Sequence, residues 1–139
     1  MILLDTKVLA EALRRRPHPR VIVWLNEQVW ETVYICAPSL GELLRAVGTL
    51  PEWQRKDRRG ESVEEKILKI FENRILKYDL EAAQAYAAIV KDARRQKRSI
   101  GRQDALVAAV AKSYGIRVAC FDPAPFLTAG LHCVEPWRF

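Results

Sequence analysis

A chain of 139 residues, 50% hydrophobic and 29% charged, is long and apolar enough to fold as one domain spanning 1–139, which argues against wholesale disorder. Its net charge of +6 gathers in basic runs at Arg14 to Arg16, Arg55 to Arg59 and Arg94 to Arg98; these suit a polyanionic partner and suit solvated helix ends equally well. No apolar run reaches the ~18 residues of a membrane span and no leader is expected; the odd set Cys36, Cys120 and Cys133, without a C-x-x-C pair, reads as free thiols in a reducing, cytoplasmic compartment.

The apolar run ending at Leu4 reads as a buried strand, with Asp5 at its carboxyl end and a helix following through Val8, Leu9, Ala12 and Leu13. Arg14 to Pro19 ends that helix, because proline cannot continue the ladder. A second helix is predicted from about Pro19 to Trp30, then a strand over Thr32 to Ala37 closed by Pro38. Ser39-Leu40-Gly41-Glu42 has the pattern of a capping box opening a third helix. Gly48 to Gly60 reads as loop or frayed helix, Val63 to Phe71 as helix, Ile75 to Tyr78 as a short strand and Leu80 to Gln96 as helix. After a break at Ser99-Ile100-Gly101, a helix over Asp104 to Tyr114 ends at Gly115. A strand over Ile116 to Phe121, a turn at Asp122-Pro123 and a final strand at His132 to Val134 complete the pattern. Alternating strands and helices imply an α/β fold with a parallel sheet covered on both faces.

Four acids fall at strand ends or in first helical turns: Asp5, Glu42, Asp104 and Asp122. Each has a local structural role open to it, as an N-cap, a capping-box partner, a helix-dipole partner or a turn starter. Parallel topology, however, sends all four to one edge of the sheet. Carboxylates gathered there would repel by roughly 1 to 4 kcal/mol per close pair, so the cluster calls for protonation or a cation. Oxygen-only ligation suits Mg²⁺ or Mn²⁺ rather than zinc, and such an ion serves phosphodiester hydrolysis.

The segments Leu3-Leu4-Asp5-Thr6, Ser39 to Leu43, Gln103 to Ala109 and Ala119 to Asp122 together resemble the successive motifs of PIN-domain ribonucleases, closest to the VapC/FitB-like toxins of toxin–antitoxin pairs. The resemblance runs the whole length, including Glu135-Pro136-Trp137. It implies a three-layer α/β/α fold with a mostly parallel central sheet, and a Mg²⁺- or Mn²⁺-dependent endoribonuclease. The acids matching the catalytic and metal-holding positions are Asp5, Glu42, Asp104 and Asp122, with Thr6 and Lys7 supporting them. It further implies an RNA substrate, a small antitoxin that blocks the pocket, and a homodimer. Arg14, Arg15, Arg16, Arg94, Arg95 and Arg98 are the candidate RNA contacts.

Three positions depart from the family pattern. Lys7 stands where asparagine is usual, Gly101 where serine or threonine is common before the third acid, and Pro125-Phe126 replaces a polar tail. Lys7 either faces solvent or lies across the carboxylates and competes with the ion. The rival reading is therefore an attenuated PIN domain that binds RNA or antitoxin without cutting. A phosphatase of the haloacid dehalogenase type would need an aspartate at position 7, and zinc chemistry would need ligand spacing that His18 and His132 lack.

Overall fold

The first apolar run becomes the centre of the molecule: strand β1 (Ile2–Leu4) pairs in parallel with β2 (Val33–Cys36) on one side and β4 (Arg117–Ala119) on the other. The structure, a computed structural model, describes residues 1–139. Short strands β3 (Ile75–Leu76) and β5 (Cys133–Val134) extend the sheet to the order β3-β2-β1-β4-β5, parallel throughout. Successive side chains of β1 enter different cores. Leu3 packs with Ile89, Val107, Val118 and Phe126, whereas Ile2 and Leu4 pack with Val8, Leu9, Trp24, Ile67 and Phe71. A strand buried on both faces needs apolar residues at every position, which is why Ile2 to Leu4 shows no polar alternation.

Helices α1 (Thr6–Ala12), α2 (Pro19–Asn26) and α4 (Val63–Ile70) cover one face. Helices α5 (Leu80–Arg95), α6 (Arg102–Tyr114) and α7 (Ala124–Thr128) cover the other. Helix α3 (Ala37–Gly48) touches both α1 and α6. This is the expected three-layer α/β/α arrangement. The chain winds outward from β1 to β2 and β3, then returns to place β4 on the opposite side of β1. The direction of winding reverses between β1 and β4, and open α/β sheets hold their ligands at that switch point.

Several expectations are corrected. Helix α2 stops at Asn26, not Trp30: Gln28 turns its amide back to donate to the Trp24 carbonyl at 2.9 Å, and a short 3₁₀ turn, Trp30–Thr32, leads into β2. The capping box at Ser39 does not form. Pro38 already sits in the first turn of a helix that begins at Ala37, and the Ser39 hydroxyl is buried against Cys36 and Thr6 instead. The chain's true capping box is Ser62 with Glu65, at the start of α4. Strand β4 is shorter than Ile116 to Phe121, because the chain bends away after Ala119. The Pro125-Phe126 departure falls in α7, unforeseen in the sequence, which drops the Phe126 ring into the core.

Candidate active site

Asp5 leaves β1 at the switch point, where its own N–H continues the β1–β4 ladder by donating to the Ala119 carbonyl at 2.9 Å. Its side chain caps α1, with Oδ1 accepting from the Val8 N–H at 2.7 Å, and the Phe121 N–H also donates to the carboxylate. Only 5% of the residue is exposed. Burial, opposed by those N–H groups and reinforced by Asp104, pushes the carboxyl up to about 6.

Asp104 lies in the first turn of α6 and faces the same crevice. Burial also raises its carboxyl, with Lys7 opposing and Asp122 reinforcing. Asp122, just beyond β4, is exposed, and its Oδ1 accepts from the Ala124 N–H at 3.0 Å. Asp104 thus lies within electrostatic reach of both Asp5 and Asp122. Lys7 supplies positive charge to both Asp5 and Asp104 but is ion-paired to neither, its ammonium lying 5.5 Å from the Phe121 ring centre. Phe121 in turn stacks edge-on against Trp137 at 5.0 Å.

Glu42 is turned the other way. Its carboxylate holds Arg45 at 2.6 and 3.0 Å, and this pairing keeps its carboxyl low. An i,i+3 partner on its own helix satisfies the charge locally, so Glu42 does not join the other three acids in this conformation.

Thr6 belongs to a small polar cluster that the sequence did not single out. Its hydroxyl donates to Ser39 Oγ at 3.2 Å and receives the Gln103 amide at 3.4 Å, while that amide also donates to the Pro38 carbonyl at 3.0 Å. Ser39 and Gln103 thereby tie the starts of α1, α3 and α6 together beside Asp5 and Asp104. The one signal available was the position of Gln103, directly before Asp104. The arginine runs are exposed: Arg14 pairs with Glu11 at 3.1 Å and Arg95 with Asp92 at 3.8 Å, while Arg15, Arg16, Arg94 and Arg98 pair with no acid. His18 caps α2 through Nδ1, and all three cysteines are free, with burial raising every thiol. Protonated, partly buried thiols do not act as nucleophiles.

No three Asp, Glu, His or Cys side chains stand close enough together to form a finished ligand set. In kind, however, the residues at the crevice fit a hard cation. Their donors are all carboxylate oxygens, and two of the three carboxyls are raised, each by burial and by a neighbouring acid, Asp104 acting on Asp5 and Asp122 on Asp104. Lys7 is the only cation that offsets both. A Cβ at Gly101 would lie 3.6 Å from Asp104 Oδ2, an ordinary contact, so a serine or threonine there would fit.

The chain matches the PIN domain family over residues 2–129. It is 37% identical to the toxin FitB of Neisseria gonorrhoeae over 138 residues, covering 99% of each chain. It is 34% identical to the VapC ribonuclease Y4jK of Sinorhizobium fredii, again with 99% of each chain covered. Among solved structures, FitAcB from Neisseria gonorrhoeae superposes with a TM-score of 0.91 at 37% identity, covering 100% of both chains.

Proposed function

Because this chain belongs to the PIN domain family, we propose that it is the toxin of a toxin–antitoxin pair, a Mg²⁺- or Mn²⁺-dependent endoribonuclease. The observation that supports the reading is the raised Asp5 carboxyl at the β1–β4 switch point, with Asp104 adding to the effect of burial and Asp122 in turn raising Asp104. Asp5 and Asp104 would hold the ion, with Asp122 at the exposed rim. Glu42 would join only by releasing Arg45. Bound there, a divalent ion would supply a Lewis acid for water activation and for the developing charge on phosphorus. The protein's own part is placement: the Val8 and Phe121 N–H groups fix the Asp5 carboxylate, and the Thr6–Ser39–Gln103 cluster fixes the helix starts around it. Calorimetry with Mn²⁺, run beside RNA cleavage assays of native and Asp5→Asn protein, tests the reading. Failure to bind Mn²⁺ and to cut RNA would overturn it.

A second reading, a PIN domain that binds without cutting, draws on Lys7 and on the Glu42–Arg45 pair. Lys7→Asn separates the two effects. Removing an ammonium that opposes the incoming ion should tighten Mn²⁺ binding about tenfold, read by calorimetry. Equal affinities would acquit Lys7.

The antitoxin has a candidate seat. A groove of about 600 Å³ on the α1–α2–α4 face is lined by Leu9, Leu13, Ile22, Leu25, Ile70 and other apolar residues. Ile22→Glu places a charge there without touching the sheet, and should weaken antitoxin binding by roughly 30-fold or more, since an unpaired carboxylate must be desolvated. Calorimetric titration with the antitoxin checks this; unchanged affinity would move the contact elsewhere. The homodimer and a cytoplasmic site of action belong to the same proposal. No helix is long and apolar enough to cross a membrane.

A further inference from the structure

A concave surface of about 650 Å³ opens between the turn after α1 and the segment joining α3 to α4, lined by Arg15, Trp53, Arg55, Lys56 and Arg58 among others. Its floor is organised without any ligand. Asp57 Oδ1 accepts from the N–H groups of Arg59 and Glu61, both at 2.9 Å, and Lys56 bridges Ser62 across a tight turn that Gly60 closes at φ +77. The Arg55 guanidinium is anchored to the Leu50 and Gly48 carbonyls at 2.8 and 3.0 Å. The two acids in the cleft are answered from within, Asp57 by Lys66 at 3.4 Å and Glu61 by Lys69 at 2.7 Å. Arg15, Lys56 and Arg58 have no acidic partner. Among them stands Trp53, 78% exposed, with no ring or cation stacked on it.

We propose that this cleft is an accessory site for single-stranded RNA, with an unpaired base stacked on the Trp53 indole and flanking phosphates held by Arg15, Lys56 and Arg58. The inference rests on the reading that RNA is the chain's substrate. Cations alone would serve an acidic peptide as well. A bare indole among unpaired cations is what alternating bases and phosphates require, since every base offers a stacking face. A duplex keeps its bases stacked inside and would leave the indole idle. The turn that carries these groups is ordered beforehand, so binding costs little rearrangement.

The test uses the full chain in EDTA, so that cleavage does not intervene, with a fluorescent oligouridylate of about 12 nucleotides read by anisotropy. Trp53→Ala should weaken binding roughly 5- to 150-fold, the loss of one base–aromatic stack, and Trp53→Phe should keep most of the affinity. The pair Lys56→Ala and Arg58→Ala should flatten the dependence of log K on log salt by about 1.4, or 0.7 per phosphate contact on a single strand. Unchanged affinity in Trp53→Ala overturns the inference, as does an equal loss in Trp53→Phe. Weakened antitoxin binding with RNA binding untouched overturns it too, and assigns the surface to the protein partner. The two readings fail separately. A chain that binds RNA through Trp53 but cuts none overturns the nuclease and leaves this site standing; a chain that cuts RNA with Trp53→Ala binding normally does the reverse.

Discussion

Asp5→Asn is expected to lower RNA cleavage by roughly 200- to 1000-fold and to abolish measurable Mn²⁺ binding. The estimate takes the loss of a charged ligand as about 3 to 4 kcal/mol of transition-state stabilisation. The substitution is well isolated. Asparagine has the size of aspartate, and its Oδ1 can still accept from the Val8 N–H, which lies 2.7 Å from the native carboxylate, so α1 keeps its cap. What disappears is the negative charge at the switch point. Single-turnover cleavage, with calorimetry in parallel, reads both effects. A loss below about tenfold would remove Asp5 from the chemistry and leave it a capping residue.

The same variant should be the more stable protein when no metal is present. The Asp5 carboxyl stands at about 6 in the fold against an ordinary 3.8. Between those values the folded state holds a proton that the unfolded state has lost, so native stability falls as pH rises through the window. Above about pH 6 the ionised native side chain costs on the order of 3 kcal/mol. Asparagine carries no such cost. In EDTA near neutral pH, Asp5→Asn should therefore melt about 5 to 10 °C above the native chain, and near pH 4 the two should melt together. Adding Mn²⁺ should raise the native melting temperature and leave the variant unmoved. A variant that melts lower than native at neutral pH would show that the hydrogen bonds to the carboxylate outweigh its burial.

Legibility followed the range of the forces involved. Strand β1 was readable because burial on both faces removes every polar residue from Ile2 to Leu4. Parallel topology sent Asp5, Glu42, Asp104 and Asp122 to one edge, and of these Glu42 turns to Arg45 instead of the other acids. Where competing local bonds decide, the sequence misled. Ser39 and Glu42 have the spacing of a capping box, yet the helix starts earlier at Ala37, Ser39 turns to Thr6 and Cys36, and Glu42 turns to Arg45. Each choice rests on a bond worth about a kilocalorie, and spacing does not rank such bonds. Helix α7 was invisible because five residues flanked and interrupted by proline show no helical period. The partnership of Thr6, Ser39 and Gln103 joins residues 33 and 97 positions apart, beyond any local pattern.

The place of β1 in the sheet also governs when the acidic crevice can exist. Strand β1 is the middle strand of the sheet, and its β4 side stays open until residues Arg117–Ala119 have docked. Asp5 follows β1, whereas Asp104 and Asp122 come only after β2, β3 and α5 in chain order. A chain cut short before α6 therefore carries the first acid without its companions. Long-range pairing of this kind is slow to form, so the acidic crevice is assembled only once β4 has docked against β1.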